Sequence, residues 1–466
     1  MPSKYKGYEF YEKILKKPRY IVAPMVDQSE LPWRILSRRH GAELCYSPMY
    51  HASVFLREPT YRKAALATCE EDRPLIIQFC ANDPETLVNA ALLAEPHCDA
   101  IDLNLGCPQG IARRGHYGAF LQDEWELISK IVQLAAEKLS VPITCKIRVF
   151  EDVQKTVDYA KMLEKAGCQL LTVHGRTREQ KKELSGLASW DHIKAVKESI
   201  SIPVFANGNI LYFNDVQRCL DYTGVDGVMT AEGNLRNPAL FSGKEPTAWQ
   251  MGEEYLDLVD KYPCALSAVR AHLFRLWHHG LCIHTDIRER LSKAGSLSEM
   301  RTINNDLKHL AQMDANKTAE SLLGTGKRHY WICQPHIRSN EPKSVKKDEK
   351  IENKEGVSKK EMKRMLKKQR KLEQQQQKQS TQRSFKWDRC EKCIVNPKGR
   401  KCNYMLCRAC CREKTFTEHL NCRSHRFKCD QKEENAIKKS NNEDKSNIEI
   451  EIGSESRTED CSEHVK

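Results

Sequence analysis

Between Arg19 and Phe241 the chain repeats one unit eight times, a short apolar run followed by a stretch of helical periodicity. The runs are YIVAPMV, AELCYSP, PLIIQFC, AIDLNLG, ITCKIRV, LLTVHGR, IPVFANG and VDGVMTAEG. Helical patterns such as Glu124–Leu139 and Val153–Ala166 lie between them, the latter stopped at Gly167. Eight strand-then-helix units match an α/β fold of the TIM (β/α)8 type in count and length. The structural alternative is an open doubly wound sheet, which seldom carries eight evenly spaced strands.

After Pro246 the strand pattern stops, and Tyr255–Tyr262, Leu266–Gly280 and Leu297–Met313 read as helices. The expected organisation is a barrel over 1–245 and a small helical domain over 246–338. A basic linker over 339–386, a cysteine-rich module over 387–430 and a disordered tail over 431–466 follow. The linker holds KKEMKRMLKKQRKLEQQQQKQ, a solvated basic helix in pattern. Its roles divide between tether, phosphate contact and nuclear import. The formal net charge of +13 favours a polyanionic partner, nucleic acid first, with a merely solubilising surface as the plain alternative. Met1–Phe10 lacks the apolar core of a signal peptide, and no run reaches the length of a membrane span. The expectation is a soluble cytoplasmic chain with no membrane partner, nuclear import being left open by the linker.

In a TIM barrel the chemistry gathers where strands end and the following loops begin. Those positions hold Pro24, Met25 and Val26 after strand one, Gln78 after strand three, and Asn104 with Cys107 after strand four. Lys146 and Arg148 end strand five, His174 and Arg176 strand six, Asn207-Gly208-Asn209 strand seven and Ala231-Glu232-Gly233 strand eight. The glycine-rich ends of strands seven and eight suit a phosphate, through backbone N–H groups at a helix start. A lysine and a glutamine at the mouth suit the edge of a flavin ring, the cation stabilising negative charge near N1 and O2. His174 suits either the phosphate or the ring, its alternative being a histidine satisfied inside the barrel. Residues 101–118, IDLNLGCPQGIARRGHYG, project Cys107 on a turn followed by Arg113, Arg114 and His116. This presents either a proton donor to a bound ring or a small buried hydrophobe.

The ordered motifs APMV, QFCAND, NLGCPQ, CKIRVF, TVHGRTR, FANGNI and MTAEGNLRNP resemble those of the tRNA-dihydrouridine synthases over about residues 19–241. NLGCPQGIARRGHYGAFL and AEGN most resemble the eukaryotic subfamily acting on D-loop uridines 16 and 17. The resemblance implies FMN as cofactor, NADPH or NADH as reductant and tRNA as partner. It places Pro24, Met25, Val26, Gln78, Asn104, Lys146, His174, Asn207, Gly208, Asn209, Ala231, Glu232 and Gly233 at FMN-binding positions. It makes Cys107 the general acid, a thiol being mostly protonated at neutral pH yet able to give up its proton. Where the family pattern has Gly-Arg this chain has Ala231-Glu232, so phosphate binding falls more on backbone N–H groups. The uridine must be flipped out of the RNA, which puts Arg113, Arg114, His116, Arg148 and Arg176 within reach of RNA. The family's RNA-binding helical domain adds Arg270, His272 and Arg275. RNA at the mouth suits a monomer. The rivals are a flavin barrel acting on a small molecule, of the dihydroorotate dehydrogenase type, and a catalytically retired RNA-binding scaffold.

Of the twenty cysteines, eight fall between Cys390 and Cys429. Cys390, Cys393, Cys402, Cys407, Cys410, Cys411, Cys422 and His425 contain two C-x2-C pairs and a C-x2-H, spacing that suits two zinc sites. The pattern resembles the RING-like finger of plant SHI-related proteins. His419 and Cys429 are spare, so spacing leaves the pairing of ligands open, as it does a metal-free segment.

Overall fold

The computed structural model describes residues 4–181, 185–315, 322–337, 388–399 and 401–427. The linker expected over 339–386 and the tail expected over 431–466 lie outside the described residues. The chain divides into two compact units, Met1–Val345 and Lys346–Lys466.

All eight expected strands form. They are β1 (Tyr20–Val22), β2 (Leu44–His51), β3 (Leu75–Cys80), β4 (Ala100–Leu105), β5 (Ile143–Arg148), β6 (Leu171–His174), β7 (Val204–Asn207) and β8 (Gly227–Thr230). Each runs parallel to the next, and β8 returns to β1 with Tyr20 beside Val228 and Val22 beside Thr230. The sheet is therefore a closed barrel and not an open doubly wound one.

Alternation along the strands divides the side chains between two environments. Ile101, Leu103 and Leu105 of β4, Ile143, Cys145 and Ile147 of β5, and Leu171 and Val173 of β6 face the surrounding helices and share one large core. Their alternates face the axis. Its lower half is filled by Ile21, Tyr46, Ile76, Ala100, Phe205 and Met229. Phe10, Tyr11 and Leu15, on and just after the helix Gly7–Lys13, complete that cluster. Nearer the strand ends the axis is lined by Gln78, Asp102, Asn104, Thr144, Lys146, Arg148 and Asn207, all buried. The barrel is thus apolar at one end of its axis and polar at the other.

Among the described residues of this unit, five helices follow: Ala248–Lys261, Leu266–Leu276, His278–Ile283, Thr285–Lys293 and Leu297–Asp314. The first starts earlier than its apolar spacing indicates, because Thr247 and Gln250 form a capping box. The expected Leu266–Gly280 helix is broken at Trp277 into two. The boundary at 245 does not separate two cores. Leu31, Trp33, Ile35 and Leu36, from the helix Leu31–Arg39 after β1, pack with Tyr255, Leu273, Trp277 and Met300. No described helix is long and apolar enough to cross a membrane.

One buried ion pair locks that shared helix. Arg34 is 2% exposed and Asp72 0%. Arg34 Nη2 donates to Asp72 Oδ2 at 2.6 Å, and Nε reaches both carboxylate oxygens at 3.0 and 3.1 Å. Nη1 and Nη2 also donate to the carbonyls of Ser29 and Ala67. Removing one partner would strand a charge in the interior. Asp72→Ala is expected to cost about 3–5 kcal/mol of stability, read from chemical denaturation, whereas loss of Glu9 from the exposed pair Lys13–Glu9 should leave the unfolding midpoint nearly unchanged.

Candidate functional site

Cys107 sits half-buried two residues past the end of β4, on a turn held by its neighbours. Asn104 Oδ1 accepts from the N–H groups of Gly106 (3.2 Å) and Cys107 (2.9 Å). The other end of the same amide donates from Nδ2 to Gln78 Oε1 at 2.8 Å. Gln78 in turn donates from Nε2 to Asp102 Oδ2 at 2.7 Å, and Thr144 Oγ1 donates to Asp102 Oδ1 at 2.7 Å. The register explains the chain of contacts, since Gln78 lies beside Asp102 and Asp102 beside Thr144 on adjacent strands. Burial raises the Asp102 carboxyl to about 6, against the pull of its two donors and Lys146. Asp102 and Thr144 are not among the site residues expected from sequence. They follow from strand alternation, which puts Asp102 on the face of Asn104 and Thr144 on that of Lys146.

Two further groups support the turn. Arg148 donates from Nε to the Gly106 carbonyl at 2.8 Å and from Nη1 to the carbonyls of Thr177 and Gln180. Gly118, at φ +66°, lies against Cys107 so closely that a Cβ would stand 2.8 Å from its carbonyl oxygen and 2.9 Å from its Cβ. Burial pushes the Cys107 thiol above its ordinary pKa, opposed by the Gln109 backbone and Arg148. Cys107 is therefore held as a thiol at neutral pH.

Across the mouth, Lys146 Nζ donates to Asn207 Oδ1 at 2.9 Å, and Asn207 Nδ2 donates to the Met229 carbonyl. Burial, then the nearby Arg148, brings the Lys146 ammonium down to about 7. His174 is held well below the usual imidazole range by burial and by Lys146, Arg148 and Arg176. Arg176 Nη1 lies 3.1 Å from His174 Nε2. A guanidinium has no acceptor, so Nε2 accepts and the ring proton sits on Nδ1. Asn209, at φ +65°, pins the facing loop through the Ala188 N–H and carbonyl. Pro24 and Met25 are half-buried at the β1 end and Val26 is exposed. Ala231 leads into the short helix Glu232–Arg236, where Gly233 offers an N–H that its own helix does not bond.

The residues expected to meet RNA separate into two groups. Arg113 and Arg114 are exposed on the helix Gly110–Gly115 beside Cys107, and His116 is exposed and paired with Glu124 at 2.8 Å. His272 is a correction. It is 0% exposed, stacked on Trp33 at 3.9 Å and hydrogen-bonded to Glu30, and so joins the helices to the barrel instead of facing solvent. Arg148 is buried and spent on loop carbonyls, and Arg176 is engaged with Ser185, Gly186, His174 and Asn209. Both brace loops here. Arg270 and Arg275 are half-buried, bonded to the Ala294 and Ala271 carbonyls.

In the second unit the eight expected ligands gather into two quartets, Cys390, Cys393, Cys407 and Cys410 in one and Cys402, Cys411, Cys422 and His425 in the other. The ligand atoms of each quartet lie within 4.8 Å of one another, so the cluster is capable of binding metal. His419 belongs to neither, and Cys429 lies outside the described residues.

The packing of Gly118 on Cys107 is directly testable. Gly118→Ala is expected to lower stability by about 1–2 kcal/mol, since alanine resists a left-handed backbone. It should also displace the turn, changing the alkylation rate of Cys107 while Cys107→Ser identifies that thiol's signal.

The model of the dihydrouridine synthase family matches residues 21–325. A Mus musculus tRNA-dihydrouridine(16/17) synthase-like protein, whose name carries NAD(P)+, is 52% identical over 436 residues, covering 91% of this chain and 90% of that protein. A Schizosaccharomyces pombe tRNA-dihydrouridine(16/17) synthase is 44% identical over 380 residues, covering 75% and 95% respectively. A Mus musculus tRNA-dihydrouridine(20a/20b) synthase-like protein is 36% identical over 287 residues, covering 61% and 83%. The matched span takes in both the barrel with its cysteine-bearing turn and the helices packed on it, and the chain belongs to the dihydrouridine synthase family.

Proposed function

We propose that this chain reduces uridine to dihydrouridine at positions 16 and 17 of tRNA, with FMN at the polar end of the barrel and NAD(P)H as reductant. The observation that carries the proposal is Cys107, a thiol kept protonated by burial on a turn braced by Asn104, Arg148 and Gly118. The positions named in the (16/17) relatives support the site of action, and their coverage of this chain supports carrying it over.

The donor set fits a flavin. Lys146 is a buried cation whose bonded partner is a neutral amide, an arrangement that favours an electron-rich ring edge beside it. His174 is neutral and offers Nδ1–H. Gln78 is fixed in orientation by Asp102 and Asn104. Gly208, Asn209 and Gly233 supply backbone at the ends of β7 and β8 for the phosphate, while the carboxylate of Glu232 leaves that task to N–H groups.

Bound FMN would supply the hydride, taken from NAD(P)H, that ends on C6 of the uracil. The chain's own residues complete the reduction. Cys107 gives its proton to C5, and the thiolate left behind is stabilised by the Gln109 N–H and Arg148. Arg113 and Arg114 meet phosphates beside the flipped nucleotide, whose unstacking costs a few kcal/mol.

Purified protein with NADPH and unmodified tRNA should form dihydrouridine at both positions, and Cys107→Ala should bind FMN normally yet form almost none. Absence of product from FMN-loaded wild type would overturn the proposal. Lys146 gives a second test. In the ligand-free barrel it loses its proton near pH 7, and an electron-rich ligand edge beside it raises that pKa, so binding takes up a proton. FMN affinity of the apoprotein, read by fluorescence quenching, should therefore fall between about pH 6.5 and about pH 8.5, by less than tenfold per unit. Lys146→Met should bind more weakly and lose that slope.

A further inference from the structure

We propose that the cysteine-rich module is held together by two zinc ions in crossed sites, the first on Cys390, Cys393, Cys407 and Cys410 and the second on Cys402, Cys411, Cys422 and His425. The distances within each quartet are those of ligands around an ion. Cys393 and Cys407 sulfurs are 3.8 Å apart, Cys402 and Cys411 3.6 Å, Cys402 and Cys422 4.0 Å, and Cys422 Sγ lies 3.6 Å from His425 Nδ1. A disulfide would bring sulfurs to about 2.05 Å. Tetrahedral zinc with bonds of about 2.3 Å sets its sulfurs about 3.8 Å apart. Four thiolates in one site and three with an imidazole in the other are ligand sets that zinc takes and that calcium or magnesium does not.

The packing of the module requires such ions. Besides its cysteines, Leu406 and Thr415 are buried among its described residues, while Ile394, Val395 and Phe416 are 65%, 77% and 85% exposed. A segment of this size with so small an apolar core does not fold on burial alone, and structural metal is the usual remedy. The backbone is also shaped for the ligands. The Ile394 N–H returns to the Cys390 carbonyl, closing the first Cys-x2-Cys turn. Gly399 lies where any Cβ would stand 2.4 Å from His425 Nε2, so glycine admits the imidazole with Nδ1 towards Cys422.

The two sites are interleaved, so assembly of one favours the other. Cys402, of the second site, lies between the two ligand pairs of the first. Cys407 caps the helix Arg408–Thr417, and Cys410 and Cys411 are neighbours on it. Successive helical side chains diverge by about 100°, which sends Cys410 to one ion and Cys411 to the other. Filling either site thus orients the helix that carries a ligand of its counterpart.

Metal content of the full-length chain tests this independently of any activity on tRNA. Zinc counted by plasma mass spectrometry should be two per chain, and one or none would overturn the proposal. Cobalt(II) replacing zinc should give thiolate charge-transfer bands and the d–d spectrum of one four-sulfur and one three-sulfur site. His425→Cys, which keeps eight ligands, should retain two ions and shift the second site to the four-sulfur pattern. An unchanged spectrum would remove His425 from the ligand set. At saturating cobalt, Cys410→Ser should weaken the four-sulfur bands and Cys411→Ser the three-sulfur bands. Identical residual spectra from those two variants would mean that the neighbouring cysteines share an ion, and the pairing would fail.

Discussion

A carboxylate placed inside a barrel has to be given hydrogen-bond donors, and much of the site's order traces to how this chain provides them for Asp102. Thr144 and Gln78 supply two. Accepting the Gln78 amide on one side fixes which of its ends faces Asn104, and Asn104 then binds the N–H groups of the turn that carries Cys107. A buried negative charge thereby sets the position of a thiol five residues further along the chain, through two neutral amide side chains and three hydrogen bonds. The cost of burial appears in the raised Asp102 pKa and is borne because each acceptor oxygen has a partner.

The same economy of contacts governs the opposite wall. Lys146 and Arg148 lie on one face of β5, so two cations share a confined space. Arg148 turns outward to three carbonyls and Lys146 is left with Asn207. His174 cannot also carry charge there, and it is neutral. Three basic residue types at one mouth therefore do three different things: one braces loops, one is a poised cation and one is a fixed donor.

Much of this was legible in the sequence, and the gaps have physical causes. The eight strands and the residues at their ends could be read because apolar runs and the polar positions that end them are local patterns. Asp102 was hidden because it stands between Ile101 and Leu103 in a run that reads as apolar, its meaning depending on period-two alternation. His272 was misassigned because only the resemblance to a helical RNA-binding domain spoke for it, whereas the partner that fixes its place, Glu30, is 242 residues away in sequence. Cysteine spacing picked out the candidate ligands yet not their partition, because Cys-x2-Cys turns are local while the crossing that puts Cys410 and Cys411 into separate quartets is tertiary.

The helix Leu31–Arg39 belongs to the barrel by connectivity and to the following helices by packing. Its Trp33 stacks on His272 and bonds Asn234, while its Arg34 is locked to Asp72 ahead of β3. The modular unit is consequently not a contiguous stretch of sequence. A barrel cut from its helices near residue 245 would expose Leu31, Trp33, Ile35 and Leu36, and a foreign helical domain grafted there would meet a surface shaped for another. Exchange of parts between relatives must move this early helix together with a domain that begins more than two hundred residues later, so the two segments are bound to diverge as one.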